Sequence, residues 1–337
     1  MAGGLNPAWW SQTLSLAETI EAELAKPVHR ERWKYTRPAK VIDLLSQPGN
    51  AQSNADLPEL FDLQAQLDRA PEALVPFTRA QGLEVINLDH NDVLDLETID
   101  HPVLVVVAAG ASATIQRRST AHASHFTWVQ ALPESQLTVA INALDAQPMW
   151  DYLNIQLRAN SRAEVHLHHL GAELARQDIQ IYCQEPGAEV VLNSAAGVLP
   201  GHHLDQQITI EHRAPHTTSR QRIHSTAGAK AEVTFNGRIH IHEHCPNVHA
   251  ELVNKNLALA DSASINTKPE LEIYTDDVTC AHGATIGALD PAELFYCAAR
   301  GIGPEQAKTI LSLAFLHQAS AGPIKDLALA VFPRAIQ

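Results

Sequence analysis

At 337 residues, with 45% hydrophobic and 18% charged side chains, the chain has the composition of a globular protein with a sizeable core, which excludes disorder as the default state. A formal net charge of -14 argues against a polyanion partner, because nucleic-acid affinity rests mostly on Lys and Arg at phosphates; neither DNA nor RNA binding is expected. No apolar run reaches the roughly 18 residues that span a bilayer, and residues 1–20 lack the basic start and apolar stretch of a secretory signal, so a cytoplasmic location with no membrane partner is expected.

In chain order, the first predicted element is a helix over 7–26, where Leu16, Ala17, Ile20 and Leu24 recur at three- and four-residue spacing and Pro27 ends the pattern. A polar stretch over 47–56 precedes a second helix over 57–70, with Leu60, Leu63 and Leu67 on one face. From about Leu83 the period changes. Val103 to Val107 is an aliphatic, mostly β-branched run, and Leu137, Val139 and Ile141 alternate with smaller or polar residues, so strands are expected from there to Val278.

Within the strand region a phrase recurs: AEVHL at 163, AEVVL at 188, AEVTF at 231 and, more loosely, ASINT at 263. Repeats of this size, each a short strand after a small-residue turn, suit a β-solenoid whose coils stack on one another. After Cys280 the pattern returns to helix. Asp290 before Pro291, with Glu293 following, supplies an N-cap, a first-turn proline and an acidic first turn. Gly301 stops that helix, Pro304 starts another and Pro323 a third. The predicted organisation is an N-terminal helical region over 1–82, a mainly β solenoid core over 83–285 and a C-terminal helical domain over 286–337.

Four well-separated cysteines (Cys183, Cys245, Cys280, Cys297) form no CxxC, so neither a disulfide framework nor a preformed zinc site is written here. Cys183 and Cys297 have apolar neighbours and read as packing residues. Nineteen histidines invite a metal hypothesis. The densest cluster is RIHIHEHC at 238–245, where period-two alternation would place His240, His242 and His244 on one strand face. That face reads as solvated polar surface, with a metal-dependent enzyme as the alternative. His166, His168, His169, His202 and His203 read as surface or layer-lining residues. Cys280 and His282 stand apart: if their stretch is extended, thiol and imidazole share a face, and the pair suits iron and iron-sulfur chemistry. Two ligands cannot hold a stable cluster, which normally takes four. Such a site is completed by a partner or is no metal site.

ELEIYTDDVTCAHGATIGALD at 270–290, followed by LFYCAARGI at 294–302, resembles the C-terminal signature of the SufB/SufD family. FNGRIHI at 235–241, residues 254–259, Thr267-Lys268-Pro269 and RERWKYT at 30–36 resemble further family features. The match is to the SufD branch: Cys280-Ala281-His282-Gly283 resembles its Cys-Ser-His-Gly, and no SufB-like N-terminal cysteine cluster is present. The chain is shorter than a typical SufD, and the N-terminal half is where the difference falls. The resemblance implies a right-handed parallel β-helix acting as a scaffold rather than an enzyme, with no ATP site of its own. It implies a SufB partner at the β-helix and the ATPase SufC on the C-terminal helices. His282, and with it Cys280, would face a nascent Fe-S cluster or iron shared with SufB, with nothing tightly bound by the isolated chain. The same edge could pair two copies when the chain is alone.

Overall fold

The computed structural model describes residues 84–97, 99, 102–119, 124–144 and 148–320. The helices expected over 7–26 and 57–70, and the one from Pro323, lie outside the described residues. The first half of the strand region comprises β1 (Glu84–Leu88), β2 (Asp92–Asp95), β3 (Val103–Val107), β4 (Ser112–Ser119), β5 (Ser124–Ala131), β6 (Gln136–Leu144), β7 (Met149–Leu157) and β8 (Arg162–Leu170). The second half comprises β9 (Leu174–Cys183), β10 (Glu189–Val198), β11 (His203–His212), β12 (Thr218–Ala227), β13 (Glu232–Ile241), β14 (Val248–Ala258), β15 (Ser264–Ile273) and β16 (Val278–Ala288). Two helices follow, α1 (Pro291–Ala298) and α2 (Pro304–His317).

Odd-numbered strands form one eight-stranded sheet in order β1 to β15, and even-numbered strands form a second in order β2 to β16. Every neighbouring pair is parallel. One odd and one even strand therefore make a coil, and successive coils stack as the sequence reading expects of a solenoid. The coils lengthen along the chain: Glu84 pairs with Val103, Leu174 with His203, and Glu232 with Ser264. The recurring AEV phrase follows this stacking. The copies at 231 and 263 are one coil apart in the same sheet, with Glu232 opposite Ser264, whereas the step from 188 to 231 spans one and a half coils and crosses from β10 to β13.

One corner of the coil is a stacked column of residues with left-handed backbone: Gly110, Glu134, Asn160, Gly187, His216, Asn247 and Asp277, with φ between 54° and 78°. From Gly110 to Asn247, each backbone N–H donates to a carbonyl of the same corner one coil further on, at 2.7–3.1 Å. Gly187 is obligatory on two counts, its φ of 78° and the Asn160 Oδ1, which would lie 2.1 Å from an added Cβ. Glu134 and His216 occupy the same conformation without glycine, which is why composition alone does not reveal this column.

Between the sheets lies an aliphatic core that includes Val105, Ile115, Val139, Ile155, Val165, Ile179, Leu192, Ile210, Ile239 and Leu252. Gly237, from the FNGRIHI stretch, is needed inside it: an added Cβ would approach the Phe235 ring to 2.4 Å and Leu252 Cδ1 to 2.7 Å. We expect Gly237→Ala to destabilise the fold by about 1–3 kcal/mol through overpacking, measured by urea denaturation. A polar column also runs through the interior, where His125, Asp151, Gln177 and Gln206 stack coil on coil. Arg117 pairs with Asp151, and Gln206 Nε2 donates to Gln177 Oε1 at 2.8 Å and to Ser194 Oγ at 2.9 Å, joining the two sheets. Burial raises the Asp151 carboxyl above the usual carboxylate range, opposed by the Arg117 guanidinium.

The helices start where their caps dictate. Asp290 accepts from the Ala292 N–H at 2.8 Å and precedes Pro291, and Gly301 with φ 77° ends the turn after α1. Helix α2 packs on the outer face of the even sheet: Phe315 stacks on His224 with ring centroids 4.7 Å apart, and His224 Nδ1–H donates to the Phe315 carbonyl at 2.8 Å.

The histidines of β8 are not surface residues: His166, His168 and His169 are all buried. Burial pushes His168, His169 and His212 down to about 4, so each stays neutral in the fold. Unfolded, they take up protons near the ordinary pKa of about 6.5. The unfolded state therefore binds more protons below that value, and stability falls as pH drops from about 6.5 towards 4. We expect the melting temperature to decline across that window in scanning calorimetry. His169→Leu, which removes a buried ring with two unpartnered nitrogens, should make the decline shallower.

Candidate functional site

The connector expected around Cys280 is a strand. β16 runs from Val278 to Ala288 and pairs in register with β14 along its whole length, ending just past the solenoid core expected over 83–285. Its small residues (Ala281, Gly283, Ala284, Gly287, Ala288) carry little β-propensity, so the sequence hid it. β16 is terminal in the even sheet and β15 is terminal in the odd one, so among the described residues both carry an unpaired outer edge. Pro269 sits within β15, where a missing N–H is tolerated because a terminal strand is paired on one side only.

Register fixes which side chains face the core axis. Cys280 continues the column Val190, Ser219, Ala250, and His282 continues Leu192, Gln221, Leu252. The preceding members of both columns are buried, whereas Cys280 is half-buried against the aliphatic core and His282 is exposed because no coil follows among the described residues. The expected shared face is therefore present, and it is the end of the core. Behind it lies a polar clasp. Asn254 Oδ1 accepts from Thr267 Oγ1 at 2.8 Å and from Asn256 Nδ2 at 2.6 Å, and Asn256 Nδ2 also reaches the Thr285 carbonyl at 3.2 Å. These bonds tie β14, β15 and β16 together. They give a structural reason for two stretches singled out in the sequence, 254–259 and Thr267-Lys268-Pro269, whose role in supporting the site that reading missed.

Chemically the pair is incomplete. Burial raises the Cys280 thiol above its ordinary value, with a hydrogen bond from the Ala250 backbone opposing, so the protonated form, a poor metal ligand, is favoured. Cys280 and His282 are two donors roughly 7 Å apart along a strand. Among the described residues no group of three or more His, Cys, Asp or Glu is placed to hold a metal ion. A Cβ added at Gly283 would meet nothing within 4 Å, so this chain itself does not require glycine there.

Of the alternative set, His240 and His242 lie side by side, with ring centroids 4.2 Å apart, but His244 does not join them. β13 ends at Ile241, and His244 lies in a turn with φ 62°, so the period-two alternation stops before it reaches the third imidazole. Cys183 and Cys297 are buried packing residues, as expected, and Cys245 is buried too. No helix among the described residues is long and apolar enough to cross a membrane.

Residues 91–315 match the family model described as SUF system FeS cluster assembly, SufBD core domain. The chain belongs to this family. It is 28% identical to the iron-sulfur cluster assembly protein SufD of Escherichia coli over 262 residues, covering 75% of this chain and 59% of that protein. It is 35% identical over 159 residues to the SufBD family protein slr0076 of Synechocystis, covering 47% of this chain and 34% of that protein. Against SufB of Bacillus subtilis it is 24% identical over 149 residues, covering 44% and 32%. The chain thus spans 59% of the E. coli relative's length and about a third of the other two. The family's matched region covers β2 to β16 and α1 entirely, so the terminal coil with Cys280 and His282 belongs to the SufBD core.

Exposure ranks the four thiols. Cys280 is half-buried while Cys183, Cys245 and Cys297 are buried, and burial pushes the Cys183 thiol up to about 12. In brief native alkylation with iodoacetamide followed by peptide mapping, Cys280 should be labelled first, and its rate should still be rising above the ordinary cysteine pKa. Labelling of Cys183 before Cys280 would contradict the arrangement.

Proposed function

We propose that this chain is a SufD-like scaffold subunit in iron-sulfur cluster assembly, which presents His282, and with it Cys280, to a cluster completed by a second subunit. The observation that carries this reading is the open end of the solenoid, where a thiol and an imidazole continue buried columns but meet no further coil among the described residues. A SufB-type partner fits there for a physical reason. The outer edges of β15 and β16 offer unpaired main-chain groups, and Ile273, Tyr274 and Ile286 are exposed apolar side chains on or beside the same two strands. A partner strand laid along that edge would bury them and bring its own ligands to the imidazole and thiol. The open space beside Gly283 leaves room for its backbone.

The chain's own role is positional rather than catalytic. The aliphatic core and the Asn254–Asn256–Thr267 clasp fix β16, and β16 fixes the two donors. The cluster is cargo, not a resident cofactor. On this reading the ATPase SufC docks on the C-terminal helices, where Phe295 and Tyr296 are exposed on α1 and Arg300 lies over the Tyr296 ring at 3.5 Å. Nucleotide-driven closure of the ATPase would pull these helices, shift the junction between the scaffolds and uncover His282, a two-state change biased by nucleotide. Location in the cytoplasm accompanies this assignment.

The test is co-expression with SufB and SufC, purification of the complex, and iron and sulfide analysis of wild type and His282→Ala. The expected result is an intact ternary complex from both, with cluster yield several-fold lower in the variant. Equal yield from His282→Ala would end the assignment of that residue. Failure of wild type to join the complex would end the scaffold reading. In the absence of SufB, sedimentation should reveal a homodimer if the same edge pairs two copies.

A further inference from the structure

The outer face of the odd sheet carries a histidine pair that the assembly reading does not use. His240 lies on β13, and His242 follows one residue after that strand ends. Their rings lie 4.2 Å apart between centroids, inclined at 55°. Each is held by a carboxylate from a neighbouring coil on a different side: His240 Nδ1 with Glu272 Oε2 of β15 at 2.6 Å, and His242 Nε2 with Glu211 Oε2 of β11 at 3.0 Å. Glu211 is itself fixed by Arg213 at 2.6 Å, and Arg238 stands 3.6 Å from Glu272. Tyr274 packs on the His240 ring at 5.2 Å. The two imidazoles, Glu243 and Tyr274 line one surface cleft of ≈ 370 Å³.

Two carboxylates thus fix the tautomers in a complementary way. A ring N–H must donate to each carboxylate, so His240 carries its proton on Nδ1 and His242 on Nε2. This leaves His240 Nε2 and His242 Nδ1 as the lone-pair nitrogens. A carboxylate behind an imidazole is the arrangement that orients a metal-binding histidine and raises its basicity. Ordinary solvated histidines on a strand face do not need two such backings.

We propose that His240 and His242 form a binding site for a borderline divalent transition-metal ion such as Fe²⁺, Co²⁺ or Zn²⁺. His240 Nε2 and His242 Nδ1 are the protein donors, and water fills the remaining positions. Two fixed nitrogens make a readily exchanging site rather than a structural one. It is independent of Cys280 and His282, which lie on the terminal strand of the other sheet, and it does not need His244.

The experiment is Co²⁺ titration of the full chain by calorimetry, with diethylpyrocarbonate footprinting of individual histidines by mass spectrometry to localise the ion. Wild type should bind one more Co²⁺ than His240→Ala/His242→Ala, and the ion should protect His240 and His242 from modification. Glu272→Gln should weaken binding about 10- to 100-fold while keeping the stoichiometry, because it removes the backing and not a ligand. Cys280→Ser/His282→Ala should leave the site unchanged, so its outcome separates this site from the scaffold site. Unaltered Co²⁺ binding by the double histidine variant, or no protection of these two rings, would overturn the proposal. Both substituted side chains are partly exposed, and matching circular dichroism melts would exclude misfolding as the cause of a loss.

Discussion

Parallel main-chain pairing between successive coils is the interaction on which the rest of this molecule depends. Each strand receives its hydrogen bonds from the coil before and the coil after, so the stack satisfies its backbone everywhere except at its ends. That one constraint sets the geometry of the interior columns, the left-handed corner and the position of every functional side chain. It also concentrates unsatisfied groups at β15 and β16. A long exposed edge is an aggregation hazard for a monomer, and natural proteins that retain one generally use it. Pro269, and Lys268 beside it, blunt part of the β15 edge, while nothing comparable lies along β16.

The interior explains how an open end can still be rigid. Aliphatic residues fill most of the space between the sheets, and the buried polar residues are arranged as ladders rather than scattered. Gln206 bridges to Ser194 across the sheets in the middle of the stack, and Thr267 bridges to Asn254 across them at its end. A buried polar group costs free energy unless it is hydrogen-bonded, so these bridges specify one register of one sheet against the other. Gly237 adds a steric lock, because the Phe235 ring and Leu252 occupy the space where its side chain would be. The clasp and the lock both sit within one coil of Cys280 and His282. Cys280 and His282 are therefore held by the best-specified part of the interior, at its open end.

Much of the fold was legible in the sequence, for reasons that can be traced. β-branched runs such as Val103–Val107 and the recurring AEV phrase mark buried parallel strands, and Asp290-Pro291 and Gly303-Pro304 mark helix starts unambiguously. What was hidden depends on long-range pairing. The extended state of 278–288 is left open by a sequence rich in Gly and Ala, and pairing with β14 makes it a strand. His244 reads as the third of an alternating set, yet the corner after β13 intervenes. His166, His168 and His169 are polar by type and buried by position, which no local pattern announces. The Cys280–His282 pair was recognisable by residue type and motif, but its meaning as the end of two interior columns required the register.

Register also shows that Cys280 and His282 by themselves are too few to hold a cluster. In a parallel stack each column offers one side chain per coil, so the last coil presents one residue at the end of each column and cannot surround an ion by itself. Cys280 is further handicapped by burial, which favours its thiol over its thiolate. A second coil laid on β16 would continue both columns and bring its own side chains directly over Cys280 and His282. In the same step it would satisfy the edge hydrogen bonds. On the proposed reading, docking and completion of the ligand set would be a single event. A cation arriving at the new interface would be expected to lower the thiol's pKa and convert a poor ligand into a good one. Such a site would exist only while the edge is paired, which would suit a cluster that has to be built and then released.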